Sequence, residues 1–208
     1  MTEAEELRLN FDIQAVINYF GRSICGEDDI QIYEYILAYD ELRRLFGELG
    51  ILFKFVDSDV SEKCGILRQL NTENTVAYST VKTMIDHENG KANVARGSRT
   101  LLRLHRALEF LAVFVEQVCK SEENASVAEI LRTSYTTTLA KHHSWLVRKS
   151  IGLASSTVPG KSQLIQIIFN NAVDHDIDST ASEFLTVINN VFERTQIIYE
   201  KNDLLNLP

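Results

Sequence analysis

At 208 residues, with 45% apolar and 24% charged side chains, the chain is long enough to bury one sizeable core, and its composition excludes a disordered protein. Twenty-nine acidic against 21 basic side chains give a formal net charge of −8, which excludes binding to nucleic acid or permanent docking on an anionic membrane through bulk charge. Any basic site has to be local.

Proline occurs only at Pro159 and Pro208, and apolar residues recur at helical rather than alternating spacing almost throughout, which predicts an all-α fold of about eight or nine helices. No low-complexity linker divides residues 1–208, so one domain is expected. A first helix is predicted over residues 3–23, with Gly26 as a stop, and a second over 29–49, breaking near Gly50. The third, 51–70, passes from the apolar run ILFKFV into DSDVSEK. A shorter helix follows at 76–87, then a polar loop, HENGKANVARGS, at 87–98. Residues 97–119 form the most distinctive stretch, GSRTLLRLHRALEFLAVFVEQVC. As a helix it places Arg99, Arg103 and Arg106 within about 60° of one another, and the stripe continues into Phe110 and Phe114. Leu101, Leu104, Leu108, Leu111, Val115 and Val118 cover the opposite face, so the helix is expected to be buried on nearly all sides. Helices at 127–142 and 143–156, a turn at Val158-Pro159-Gly160, and helices at 161–172 and 180–205 complete the chain.

Cys25, Cys64 and Cys119 are widely spaced and contain no CxxC, so neither a disulfide framework nor a zinc ligand set is expected, and a reducing compartment fits. The start, MTEAEELRLNF, lacks the pattern of a secretory signal, and no run approaches the roughly 18 apolar residues of a spanning helix. The expectation is a cytoplasmic chain that spans no membrane. His142 and His143 are adjacent, but no Cys or Glu spacing completes a metal site. Trp145 beside them is read as a core anchor. Gly160-Lys161-Ser162 fails as a P-loop because Ser155 stands where the first glycine belongs. Neither GxSxG nor a cysteine–histidine nucleophile motif is found, so no enzyme activity and no cofactor are read from the sequence.

Asp59 and Lys63 are four apart and share a helix face. The plain reading is a solvated ion pair worth about 0.3–0.5 kcal/mol. Following an apolar stretch, the same pair could accept from a ligand N–H and donate to a phosphate. For the arginines the plain reading is a basic surface, with Arg106 paired to Glu109. Against it, Arg99 sits near a helix N-terminus, where the macrodipole favours anions, and an anion bound by the free helix N–H groups and the guanidinium forks would reconcile the two.

Together, LGILFKFVDSDVSEK, GSRTLLRLHRALEFL, HHSWLVRK followed by Val158-Pro159, and the final LLNLP resemble the glycolipid transfer protein superfamily, specifically its ceramide-1-phosphate branch. The resemblance runs nearly end to end. It implies a two-layer helical sandwich of about eight helices that holds lipid chains in an apolar pocket beneath a surface head-group site. Asp59 looks like the carboxylate that receives the amide N–H and hydroxyl of the ceramide backbone, and His143 like the donor to its amide carbonyl. Lys63, Arg99 and Arg103 match the cations that grip the phosphate. Arg106 is as much structural as binding, and Lys91 and Arg96 are candidates for a further cation from the preceding loop. Phe46, Phe53, Phe110, Phe114 and Leu146 are the expected pocket walls.

Glycolipid-binding relatives carry a tryptophan, on which the sugar stacks, where this chain has Arg103. A phosphomonoester brings about −1.5 to −2 charges, which a cluster of cations matches and a neutral sugar does not. The resemblance therefore implies a monomeric, non-enzymatic carrier of ceramide-1-phosphate that meets membranes transiently. A carrier of glycosphingolipids, or a lipid-sensing adaptor or scaffold without transfer activity, is the alternative.

Overall fold

The computed structural model describes residues 10–49, 51–89, 95–169 and 177–208, with backbone alone at 51, 52, 146, 150, 152–154 and 156. Nine α-helices and one small hairpin make up the regular structure of the described residues, so the all-α expectation holds. Several boundaries differ from the expected ones, each for a local chemical reason.

Helix α1 (Ile13–Ser23) begins where the Asp12 side chain accepts from the Gln14 N–H. The Phe11 and Asp12 N–H groups donate to Glu48 at 3.0 Å and Glu41 at 2.9 Å, which ties this stretch to the next helix instead of extending α1. The rest of the predicted 3–23 helix, residues 3–9, lies outside the described residues. Gly26, at φ 56°, turns the antiparallel pair β1 (Ile24–Cys25) and β2 (Asp29–Ile30), strands too short to leave an alternation in the sequence. Helix α2 (Ile32–Glu48) therefore starts at Ile32 rather than at residue 29. Helix α3 (Ile51–Glu73) continues past residue 70. Helix α4 (Val81–Glu88) opens on a reciprocal Thr80–Thr83 capping box instead of at Val76.

Helix α5 (Arg96–Lys120) matches the predicted central helix closely. Helix α6 (Val127–Thr137) stops well before His142. The hydroxyls of Thr136, Thr137 and Thr138 donate back to the carbonyls of Arg132, Thr133 and Ser134, an arrangement that weakens a helix end. A 3₁₀ turn at Ala140–His142 follows, and Ser144 caps α7 (Trp145–Ala154), leaving His143 extended at φ −111°, ψ 147°. Helices α8 (Lys161–Phe169) and α9 (Ile177–Lys201) complete the set. After α9, Asp203 adopts φ 55° and the Leu204 N–H donates to the Tyr199 carbonyl at 3.0 Å, a helix-ending turn that sends the chain back toward α5. The expected continuation of the last helix to residue 205 is thus replaced by a reversal.

Helix α5 packs against α3, α4, α6 and α9, while α1, α2 and α3 pack in sequence beside one another. Its expected apolar face is buried: Leu101, Leu104, Leu108, Leu111, Val115 and Val118 all lie in the core. Polar bonds hold its first half as well. Tyr39 donates to the Leu104 carbonyl at 2.5 Å and Tyr199 to the Ser98 carbonyl at 2.7 Å, and His105 Nε2 lies 2.8 Å from Gln196 Oε1.

The His105 ring stacks on Phe192 with centroids 4.4 Å apart. Burial lowers its pKa to about 4, because the interior disfavours the imidazolium, although the bond to Gln196 partly opposes this. An unfolded histidine titrates near 6.5. The stability gained from the neutral ring is therefore complete above pH 6.5 and is lost as the pH falls toward 4, on the order of 3 kcal/mol in all. The urea midpoint is expected to fall across that window, and His105→Gln is expected to flatten the fall. An equally steep decline in the variant would assign the acid sensitivity elsewhere.

Candidate functional site

Asp59 and Lys63 lie one turn apart on α3, with Nζ 2.5 Å from Asp59 Oδ1. The two are not equally placed: the Lys63 side chain is 11% exposed and that of Asp59 58%. A carboxylate offers about four acceptor positions, so one ammonium contact leaves Asp59 with free lone pairs at the surface.

On α5, which packs against α3, Arg99 is half-buried, Arg103 exposed and Arg106 half-buried. The returning segment meets them. Arg106 donates to the Leu205 carbonyl at 2.8 Å and the Leu207 carbonyl at 3.2 Å, and Arg103 to the Pro208 backbone oxygen at 3.2 Å. Burial, then Arg103, lowers the Arg106 pKa: two guanidinium groups crowd each other. Arginines elsewhere on the surface behave differently, with Arg22 on Glu34, Arg43 on Asp57 and Arg68 on Asp40. Among the described residues no Asp or Glu side chain lies within ion-pair distance of Arg96, Arg99, Arg103 or Arg106, so the expected pairing of Arg106 with Glu109 does not form. These cations are neutralised neither by pairing nor, for Arg106, by full hydration.

His143 joins the group from the extended residue between the 3₁₀ turn and α7. Its pKa is lowered, first by burial and then by Lys63 and Arg106, with Asp59 acting the other way. The imidazole is thus within electrostatic reach of groups on both α3 and α5. Its Nδ1 lies 2.9 Å from the Tyr135 hydroxyl, a contact that no local sequence pattern signals. Asp59, Lys63, Arg103, Arg106 and His143 consequently converge. Arg99 stands one turn before Arg103 on the same helix, Arg96 opens that helix and is exposed, and Lys91 lies outside the described residues.

The N-terminus of α5 corrects one expectation. Its free N–H groups do not await a ligand, because Glu88 takes them: Oε1 accepts from the Gly97 N–H at 2.7 Å, and Oε2 from the Ser98 N–H at 2.8 Å and the Ser98 hydroxyl at 2.6 Å. Glu88 is itself buried and also accepts from Tyr78 at 3.2 Å. The anion that the helix dipole favours is part of the protein. A Cβ on Gly97 would lie 2.7 Å from Met84 Sδ and 2.9 Å from Glu88 Oε1, which explains the glycine. The signal was present in the sequence: an acid in the last turn of a helix is misplaced for its own dipole and suited to the next one.

Of the expected pocket walls, Phe53 and Phe114 are buried and Phe46 and Phe110 half-buried. They form two stacked pairs, Phe46 on Phe53 at 6.3 Å and Phe110 on Phe114 at 5.7 Å between centroids. The Leu146 side chain lies outside the described residues. Trp145 is not a core anchor: it is 65% exposed, with the Lys149 ammonium 5.1 Å from the centroid of its ring. Its position at the first turn of α7, set by the Ser144 cap, turns it outward. Phe55, one turn before Asp59 on α3, is 77% exposed. Among the described residues no helix is long and apolar enough to cross a membrane, and no group of His, Cys, Asp and Glu could hold a metal.

Residues 30–170 match the family model described as glycolipid transfer protein. The ceramide-1-phosphate transfer protein of Danio rerio is 34% identical over 209 residues, covering 95% of this chain and 98% of that one. The Homo sapiens protein of the same name is 27% identical, covering 98% and 100%. Among solved structures, the apo form of mouse ceramide-1-phosphate transfer protein superposes with a TM-score of 0.89 at 27% identity, over 96% of this chain and all of that one. The human protein in complex with 12:0 ceramide-1-phosphate gives 0.88 at 28% identity with the same coverage.

Proposed function

Since the chain belongs to the glycolipid transfer protein family, we propose that it is a cytosolic, non-enzymatic carrier that moves ceramide-1-phosphate between membranes. The observation that carries this reading is the set of α5 arginines with no Asp or Glu partner among the described residues, one of which, Arg106, acts on His143 together with the tucked ammonium of Lys63. A dianionic phosphate supplies the missing charge, and Arg99, Arg103 and Lys63 receive it through charge-assisted hydrogen bonds. Asp59, with acceptor positions to spare, takes the amide N–H and hydroxyl of the ceramide, and His143 faces its carbonyl oxygen. Arg106, tied to the carbonyls of the returning segment, supports the site rather than gripping the ligand.

The lipid chains lie among Phe46, Phe53, Phe110 and Phe114. Each buried methylene contributes about 0.8 kcal/mol, so a sixteen-carbon chain represents on the order of 12 kcal/mol against its passage through water. A protein pocket replaces one apolar environment by another, and transfer needs no energy source. Phe55 and Trp145 are exposed and flank Asp59 and His143 in sequence, which suits brief contact with a bilayer at the mouth of the site. The net charge of −8 opposes a lasting one.

Transfer of fluorescent lipids between vesicles tests the reading. Ceramide-1-phosphate is expected to move at least about tenfold faster than galactosylceramide, since the loss of one charged contact alone costs about 1.5–3 kcal/mol. Equal rates, or no movement of the phosphorylated lipid, would reject it.

A further inference from the structure

We infer that Tyr135 is a positioning residue for the head-group site: its hydroxyl donates to His143 Nδ1, which places the single imidazole proton on Nε2 and aims a donor at the ligand. The inference rests on the carrier reading above and deepens it, since it specifies which form of His143 the lipid amide meets.

The geometry begins with the backbone. His143 is extended between the 3₁₀ turn and α7, so its side chain is released from either helix face and needs another support. That support comes from α6. The Tyr135 hydroxyl is 2.9 Å from Nδ1, and the two rings lie 5.7 Å apart, tilted by 35°. Tyr135 is 6% exposed, so it can anchor the imidazole. Ser134 beside it is buried too.

Which atom donates follows from the chemistry of the two groups. A neutral imidazole has one N–H and one bare nitrogen. Burial together with the nearby Lys63 and Arg106 cations favours that neutral form over the imidazolium, against the pull of Asp59. A phenol is a far stronger acid than a neutral imidazole N–H, and the bare imidazole nitrogen is a far stronger base than a phenol oxygen. O–H to N is therefore the favoured direction. Hydrogen-bond accounting agrees: Nδ1 is the sole protein partner of the Tyr135 hydroxyl among the described residues. Reversing the bond would leave the phenol proton without a protein acceptor. With Nδ1 occupied as an acceptor, Nε2 carries the proton.

This polarity matches the rest of the site. Asp59 can only accept, and a secondary amide needs one acceptor for its N–H and one donor for its carbonyl oxygen. Were the proton on Nδ1, His143 would present a lone pair to a carbonyl oxygen, which repels it. Tyr135 thereby fixes the sign of the contact without touching the lipid.

Long-range proton–nitrogen NMR correlations of the lipid-free protein with ¹⁵N-labelled histidine, at neutral pH, read the tautomer directly. The Nε2–H form is expected for His143, and Tyr135→Phe is expected to admit the Nδ1–H form and to slow ceramide-1-phosphate transfer about fivefold to twentyfold at an unchanged circular dichroism spectrum. An Nδ1–H tautomer in the parent protein, or an unchanged tautomer and rate in the variant, would overturn the inference. Two further variants keep it testable should Tyr135→Phe not fold. His143→Gln carries its amide near the Nε2 position and His143→Asn near Nδ1, so the glutamine is expected to retain more transfer, and equal loss in both overturns the inference. Failure of the carrier reading has a separate signature: the parent protein then moves no ceramide-1-phosphate, whatever its tautomer.

Discussion

Replacing Arg103 by leucine is expected to slow ceramide-1-phosphate transfer about tenfold to a hundredfold and to leave the helical content and thermal midpoint nearly as they were. The size follows from one charge-assisted contact to a phosphate, about 1.5–3 kcal/mol. The selectivity of the damage follows from its position. Arg103 is exposed on α5, and its protein contact is a single 3.2 Å bond to the Pro208 oxygen, so little of the fold depends on it. Arg103→Lys is the informative companion. It keeps the charge but loses the planar fork, and an intermediate rate is expected if the guanidinium binds phosphate through two of its N–H groups. Full activity of the leucine variant in the vesicle assay would remove Arg103 from the site.

Glu88→Ala should act on the opposite quantity. It is expected to lower stability by at least about 4 kcal/mol, because the buried N–H groups of Gly97 and Ser98 and the hydroxyls of Ser98 and Tyr78 all lose their acceptor, at about 1–3 kcal/mol for each one left unsatisfied. For a chain of this size that corresponds to a drop of roughly 10 °C in the thermal midpoint. Glu88→Gln tests the mechanism more finely: it retains one carbonyl acceptor but brings an NH₂ group against donors, so part of the loss is expected to remain. A midpoint within 2 °C of the parent for the alanine variant, measured by scanning calorimetry, would show that water replaces the carboxylate at no cost.

The sequence and the structure agree where an interaction depends on periodicity. Asp59 and Lys63 are four residues apart, so a helix alone brings them together, and the arginine stripe of α5 required nothing else. The α5 core face was readable for the same reason. Contacts made across the fold left weaker traces. Tyr135 reaches His143 through a helix end, a 3₁₀ turn and an extended residue, none of which helical spacing encodes. The bonds from Arg103 and Arg106 to residues 205–208 join positions about a hundred residues apart, and their acceptors are backbone oxygens that any side chain could carry. Trp145 was misread because a lone tryptophan beside apolar residues is ordinarily a core residue, whereas here the Ser144 cap decides which way the first turn of α7 faces.

The polar attachments of α5 have a mechanical meaning. Glu88 on Gly97 and Ser98, Tyr199 on Ser98, Tyr39 on Leu104 and Gln196 at His105 all fall within residues 97–105, the same span that carries Arg99 and Arg103. Beyond it, Phe110 and Phe114 are held by stacking and dispersion, forces that tolerate sliding. The first half of the helix is held by directional bonds and the second by shape and burial. The spacing of the Arg99 and Arg103 charges is thus set by directional bonds, whereas the walls formed by Phe110 and Phe114 are set by packing alone.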